Sequence, residues 1–194
     1  MTVQLGNLIF LAGLIVYVTI RGVFERRTRN LVKVVKRRDA LERALLVMVG
    51  IGSLALPVLY LFTPWLGFAD YRLPPLAQVS GTVILLCALW LFWRSHHDLA
   101  ENWSMTLELH KGHRLIQHGV YRLIRHPMYA AILLWDVAQG LLLQNWLAGS
   151  SAFITFFLLY LFRTPREEQM LCEFFGQEYR DYMRKTGRLF PRLR

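Results

Sequence analysis

Residues 128–162, MYAAILLWDVAQGLLLQNWLAGSSAFITFFLLYLF, decide the fold. They form two apolar runs, Met128 to Leu143 and Trp146 to Phe162, separated only by Gln144 and Asn145. A helix needs ~17–25 apolar residues to cross a bilayer, so the first run is on the short side and the second is sufficient. The two-residue gap leaves room only for a tight helical hairpin. Three further runs precede it, Val3 to Ile20, Ala44 to Phe62 and Leu76 to Trp93. Pro57 is expected to kink the second of these, and Gly50 and Gly52 thin its surface where a neighbouring helix could pack.

The basic residues give the orientation. Loop 21–43 carries nine Lys and Arg, loop 63–75 only Arg72, loop 94–127 five, the hairpin turn none and the tail from Arg163 eight. The positive-inside rule then puts the N-terminus outside, and the third loop and the tail in the cytoplasm. The formal charge of +10 follows from this topology, which argues against a nucleic-acid partner. The chain is 55% hydrophobic and shows no cleavable-signal pattern. Cys87 and Cys172 lie too far apart, in too different a setting, to suggest a disulfide framework. The expected fold is therefore all-α and polytopic, one integral membrane domain with five transmembrane helices, a cytoplasmic cofactor-binding loop and an amphipathic C-terminal helix. Residues 1–93 form a three-span framework, and 94–194 form a catalytic half containing the hairpin 128–162 and the tail. In that tail Leu171, Phe174, Phe175, Tyr179, Tyr182 and Met183 recur at helical spacing, as in a helix lying on the membrane surface, with Gly187 as its stop.

Two conspicuous patterns do not carry chemistry. All six histidines fall in the third loop, but without HxxHH boxes or acidic residues at ligand spacing, so no metal site is expected. Gly50-Ile51-Gly52-Ser53-Leu54-Ala55 matches a dinucleotide fingerprint, yet lies inside a spanning segment rather than between a strand and a helix.

The stretch Gly112 to Tyr129, GHRLIQHGVYRLIRHPMY, is more informative. Two glycines punctuate it, His126 precedes a proline, and Pro127 suits the first position of the fourth helix. A helix N-terminus there, with Met128 and Tyr129 in its first turn, favours an anionic group, and Tyr121 and Tyr129 could supply aromatic faces. A plain interfacial loop with snorkelling arginines fits the same residues. After the fifth run, Thr164, Pro165 and Glu167 have the form of a capping box starting a new helix. Arg163 would then lie at the membrane surface, able to grip a carboxylate, with Glu167 as an acceptor for a cofactor. Asp136, inside the fourth run, is costly there and is expected to hydrogen-bond a neighbouring helix.

Taken together, Arg125-His126-Pro127-Met128-Tyr129, the hairpin, Glu167-Glu168 and FFGQEY at 174–179 resemble the RHPxYxG…EE signature of the isoprenylcysteine carboxyl methyltransferases and related phospholipid methyltransferases. GHRLIQHGVY resembles that family's HxLVTxGVY element. The resemblance covers roughly residues 112–194 and is of a short prokaryotic, archaeal kind. It implies S-adenosylmethionine bound by His113, Arg114, Leu115, Ile116, Tyr121, His126, Pro127, Met128, Tyr129, Glu167 and Glu168. It also implies a carboxylate substrate on Arg163, with Arg163 and Glu167 as the catalytic pair and S-adenosylhomocysteine as product. The acceptor would be a prenylated cysteine or a lipid arriving from the bilayer. Ala131 replaces the family's glycine. Of the same fold, a phospholipid or small-amine methyltransferase is the alternative, with Glu168 as its base. From another class, a sterol-reductase-like enzyme using NADPH remains open.

Overall fold

The computed structural model describes residues 2–28, 33–36, 40–102, 108–110 and 114–192. Their order is α1 (Thr2–Thr28), β1 (Lys33–Lys36), α2 (Ala40–Gly50), α3 (Leu56–Phe62), α4 (Pro75–Leu99), β2 (Glu108–His110), α5 (Pro127–Leu143), α6 (Trp146–Phe175) and α7 (Gln177–Lys185). A π-helical turn, Ile51–Ala55, joins α2 and α3 into one rod. Four helices are long and apolar enough to span a bilayer, Gln4–Arg27, Ala40–Phe62, Pro75–Leu99 and Trp146–Phe175, and the shorter apolar α5 makes the fifth. The chain is a multi-pass integral membrane protein. Among the described residues, an antiparallel pair, β1 with β2, departs from an all-α fold and links the first and third loops.

Burial follows membrane logic. Leu8, Ile15, Val47, Val83, Leu86 and Ile154 face outward, where lipid replaces water as solvent. The interior mixes apolar residues with polar ones such as Gln139 and Asn145. Phe10 and Leu14 of α1, Leu85 and Ala88 of α4, and Trp135, Ala138 and Leu142 of α5 make the main core.

The π turn leaves one carbonyl that needs a partner from outside the helix. The Leu56 N–H donates to the Ile51 carbonyl, one residue further back than in an α-helix. Pro57 has no N–H to donate, so the Gly52 carbonyl loses its helical partner. Gln139 Nε2 and Ser151 Oγ donate to it instead, at 3.1 and 3.0 Å. That close approach requires the glycine, because a Cβ at Gly52 would lie 2.6 Å from Thr155 Oγ1. Of the two glycines, only Gly52 packs this tightly; nothing lies within 4 Å of a Cβ at Gly50.

At the far end, Gln144 adopts the left-handed conformation and Asn145 caps α6, its Oδ1 accepting from the Leu147 and Ala148 N–H groups. Asn145 Nδ2 donates to Leu66 O and Asp70 Oδ1, tying the hairpin turn to the short loop beside it.

The capping box is overturned. The last spanning helix does not end at Phe162: α6 runs on to Phe175 with Pro165 inside it. A proline within a helix gives up one backbone bond, and continuing the helix carries Glu167, Glu168, Met170 and Leu171 onto the cavity and the ion cluster described below. The chain breaks instead at Gly176, whose φ is +60°, and α7 ends at Lys185. The aromatic face of the tail packs in part on the protein. Tyr179 and Tyr182 are buried against the protein, because the end of α6 and α7 fold back over the N-terminus of α5.

Candidate active site

A cavity of about 500 Å³ opens between α1, α2, α5 and α6 beneath α7. One end is polar, lined by Arg114, Tyr121, His126, Glu167 and the two tyrosines of α7. The other is apolar, with Leu14 and Val18 of α1, Leu46 and Val49 of α2, and Phe156 and Leu159 of α6.

Pro127 occupies the first turn of α5, as the sequence leads one to expect, and His126 precedes it with extended φ. The His126 ring lies parallel to that of Tyr129, with centroids 5.2 Å apart. Tyr129 OH donates to Glu167 Oε2. Tyr121 sits on the 3-10 turn Gly119–Arg122, held from two sides. The Val120 N–H donates to Asp98 Oδ2 at 2.9 Å, and Tyr182 OH donates to the Tyr121 carbonyl at 2.6 Å. Asp98 is itself paired with Arg94 at 3.1 Å. Gly119 has φ +58°, and a Cβ there would overlap the Asp98 carboxylate, so this turn is fixed by backbone geometry. Burial pushes the Tyr121 phenol well above its ordinary value, which keeps it neutral.

Glu167 and Glu168 separate. Glu167 lines the cavity, whereas Glu168 does not. Glu168 is buried among cations, 2.6 Å from Arg125 Nε, 3.2 Å from His126 Nε2 and 2.6 Å from Arg188 Nη2. Its hydrogen bonds hold the Arg188 guanidinium above its usual range. Two backbone bonds add to this cluster, from the Arg125 N–H to Gly187 O and from the His126 N–H to Arg188 O. A carboxylate committed to these partners has no capacity left to act as a base toward a ligand. The role proposed for Glu168 on an amine is thereby corrected.

Arg163 is buried rather than at the surface. Its Nη1 is 3.6 Å from Glu42 Oε1 and its Nε 3.9 Å from Glu167 Oε2. Among the expected residues, Arg114, Leu115, Ile116, Tyr121, His126, Met128, Tyr129, Arg163 and Glu167 thus converge on one cavity. Pro127 is buried behind it, and His113 lies outside the described residues. Ala131, at 1% exposure, is packed in the core. Among the described residues neither oxygen of Asp136 has a hydrogen-bond partner, so the expected bond to a neighbouring helix is not seen there.

Sequence reasoning missed Glu42, Asp98, Arg125 and Arg188. Glu42 had a faint signal: it is an acid three and four residues before Leu45 and Leu46, hence on the apolar face of α2. Arg188 had none.

Residues 80–173 match the model of the isoprenylcysteine carboxyl methyltransferase (ICMT) family. A probable protein-S-isoprenylcysteine O-methyltransferase of Oryza sativa subsp. indica is 42% identical over 79 residues, 41% of this chain and 41% of that protein. Protein-S-isoprenylcysteine O-methyltransferase A of Arabidopsis thaliana is 39% identical over 113 residues, 58% of this chain and 55% of that one. The chain therefore spans about half the length, or less, of these curated relatives. The eukaryotic intramembrane Ras methyltransferase ICMT, solved without a monobody, superposes with a TM-score of 0.52 at 24% identity, over 77% of this chain and 50% of that one. That likeness is one of fold. Both named relatives are plant proteins and the structure is eukaryotic, so the archaeal character expected from the sequence is not borne out.

Proposed function

We propose that the protein is a membrane methyltransferase that uses S-adenosylmethionine to esterify the carboxylate of a prenylated cysteine. One observation carries the reading: the residues of the methyltransferase-like motif line the polar end of a cavity whose other end is walled by membrane-facing helices. Val18 and Leu54 line that apolar end and are also exposed on the outside of the bundle. A lipid chain could therefore reach the cavity from the bilayer while a soluble cofactor arrives from the opposite side. With the basic loops in the cytoplasm, that side is cytoplasmic and the N-terminus is outside.

The residues present fit the cofactor. The volume is in the range of small-molecule sites, and the polar end offers the Tyr121 ring, the stacked His126–Tyr129 pair and the Glu167 carboxylate. Arg114, Leu115, Ile116 and Met128 complete that wall. S-adenosylmethionine supplies a methyl group already activated by its sulfonium. A carboxylate acceptor is ionised near neutral pH, so the chain needs no general base. Its task is to align the acceptor and exclude water. Arg163 holds the acceptor carboxylate, and Glu167, fixed by Tyr129, accepts a hydrogen bond from the cofactor or balances its charge.

Binding of S-adenosylhomocysteine and of NADPH to the detergent-solubilised protein tests the cofactor. Saturable binding of NADPH alone would sink the proposal. Turnover of labelled methyl donor with a farnesylcysteine analogue, set against phosphatidylethanolamine, then tests the acceptor. Methylation of the amine lipid alone would replace the carboxylate assignment.

A further inference from the structure

We propose that Arg21 is a second carboxylate-binding group of the cavity, and that it receives the acid head of the lipid-linked acceptor. This rests on reading the cavity as the site of a carboxyl methyltransferase. Leu14, Tyr17, Val18 and Arg21 share one face of α1 and all line the cavity. At a rise of about 1.5 Å per residue, Arg21 lies roughly 10 Å beyond Leu14 along the helix axis. A chain lying along Leu14 and Val18 would therefore bring its polar head to Arg21.

Among the described residues, Arg21 is held by a neutral partner. Tyr17 is fixed by stacking on Phe92, with centroids 4.3 Å apart, and by contact with the Trp135 ring. Its hydroxyl accepts from Arg21 Nη1 at 3.4 Å. Tyr17 is a neutral partner, and among the described residues no carboxylate pairs with Arg21. Two further arginines of the cavity are paired with carboxylates, Arg125 with Glu168 and Arg163 with Glu42 and Glu167. Around Arg163 two carboxylates face one guanidinium.

One consequence is directional. Methyl transfer converts a carboxylate into a neutral ester, which removes the charge that Arg21 recognises. The product then loses a charge-assisted contact that the substrate had, which favours its release.

The test compares a farnesylcysteine-type acid with its methyl ester as ligands of the wild-type protein, Arg21→Gln and Arg21→Lys, with S-adenosylhomocysteine affinity measured in parallel. Wild type should bind the acid at least about tenfold more tightly than the ester, the scale of one charge-assisted bond. Arg21→Gln should reduce that preference to the part that Arg163 supplies and Arg21→Lys should reduce it less, both with unchanged S-adenosylhomocysteine affinity; that retained affinity also establishes that the variants are folded. An undiminished preference for the acid in Arg21→Gln overturns the proposal. So does weakened S-adenosylhomocysteine binding with the acid preference intact, because Arg21 would then serve the carboxylate of the methyl donor. Failure of wild type to bind S-adenosylhomocysteine would instead count against the reading of the cavity itself.

Discussion

Glu168 and Glu167 are adjacent on α6, about 100° apart around its axis, and they belong to two differently built regions. Glu168 is gripped by Arg125, His126 and Arg188 at 2.6 to 3.2 Å, with three elements of the chain meeting on one carboxylate. Glu167 belongs to a looser group in which Arg163 stands 3.9 Å from it and 3.6 Å from Glu42. The tight cluster has no capacity left for a ligand and serves to lock the start of α5, the end of α6 and the tail together. The looser one borders the cavity, and its ion pairs are longer, at 3.6 and 3.9 Å. Saturation marks scaffold, and slack marks the place where chemistry can enter.

The largest way to break this contrast is Glu168→Gln. Losing the charge leaves buried Arg125 without its counter-ion, and breaking such pairs costs about 3–5 kcal/mol. Thermal unfolding in detergent should show a large fall in midpoint; a small shift would mean that the cluster is not what holds the tail down. The next is Arg163→Lys. The charge survives but the planar fork does not, so kcat/KM for a carboxylate acceptor should fall about a hundredfold, with little change in stability. Undiminished turnover would remove Arg163 from the role assigned to it.

This contrast was not legible in the sequence. The paired glutamates read as one motif, and nothing local tells which of two neighbours faces the cavity. That depends on α6 continuing through Pro165 and on Arg188 returning to it twenty residues later. The Thr-Pro-x-Glu pattern was a sound local rule that lost to packing, because the helix gains cavity and cluster contacts by continuing. The hairpin, by contrast, was legible from Gln144 and Asn145 alone. A two-residue polar break between long apolar runs has few structural solutions, and Asn145 supplies the cap. The motif residues from Arg114 to Tyr129 also converge as expected, since Gly119 and Pro127 constrain the backbone directly. Arg21 and Glu42 escaped because each reaches the site through tertiary contact between helices far apart in sequence.

A finer probe of the looser region is Tyr129→Phe. It removes only the hydroxyl that donates to Glu167, so it should cost about 1 kcal/mol, seen as a roughly fivefold weaker affinity for S-adenosylhomocysteine with kcat little changed. Equal affinity in the variant would show that Glu167 does not need Tyr129 to hold it.

The smallest effect is expected outside both regions, at an exposed ion pair. Asp181 and Arg184 on α7 form an ion pair at 3.5 Å with side chains 48% and 76% exposed. Distance alone would rank this pair with the contacts of Arg163. Exposure ranks it far lower, because water screens the attraction and ordering two mobile side chains opposes it. Asp181→Asn should therefore leave both the unfolding midpoint and turnover essentially unchanged, within about 0.5 kcal/mol. A loss approaching that of Glu168→Gln would mean that α7 is held by its surface charges rather than by Tyr179, Tyr182 and the buried cluster beneath them.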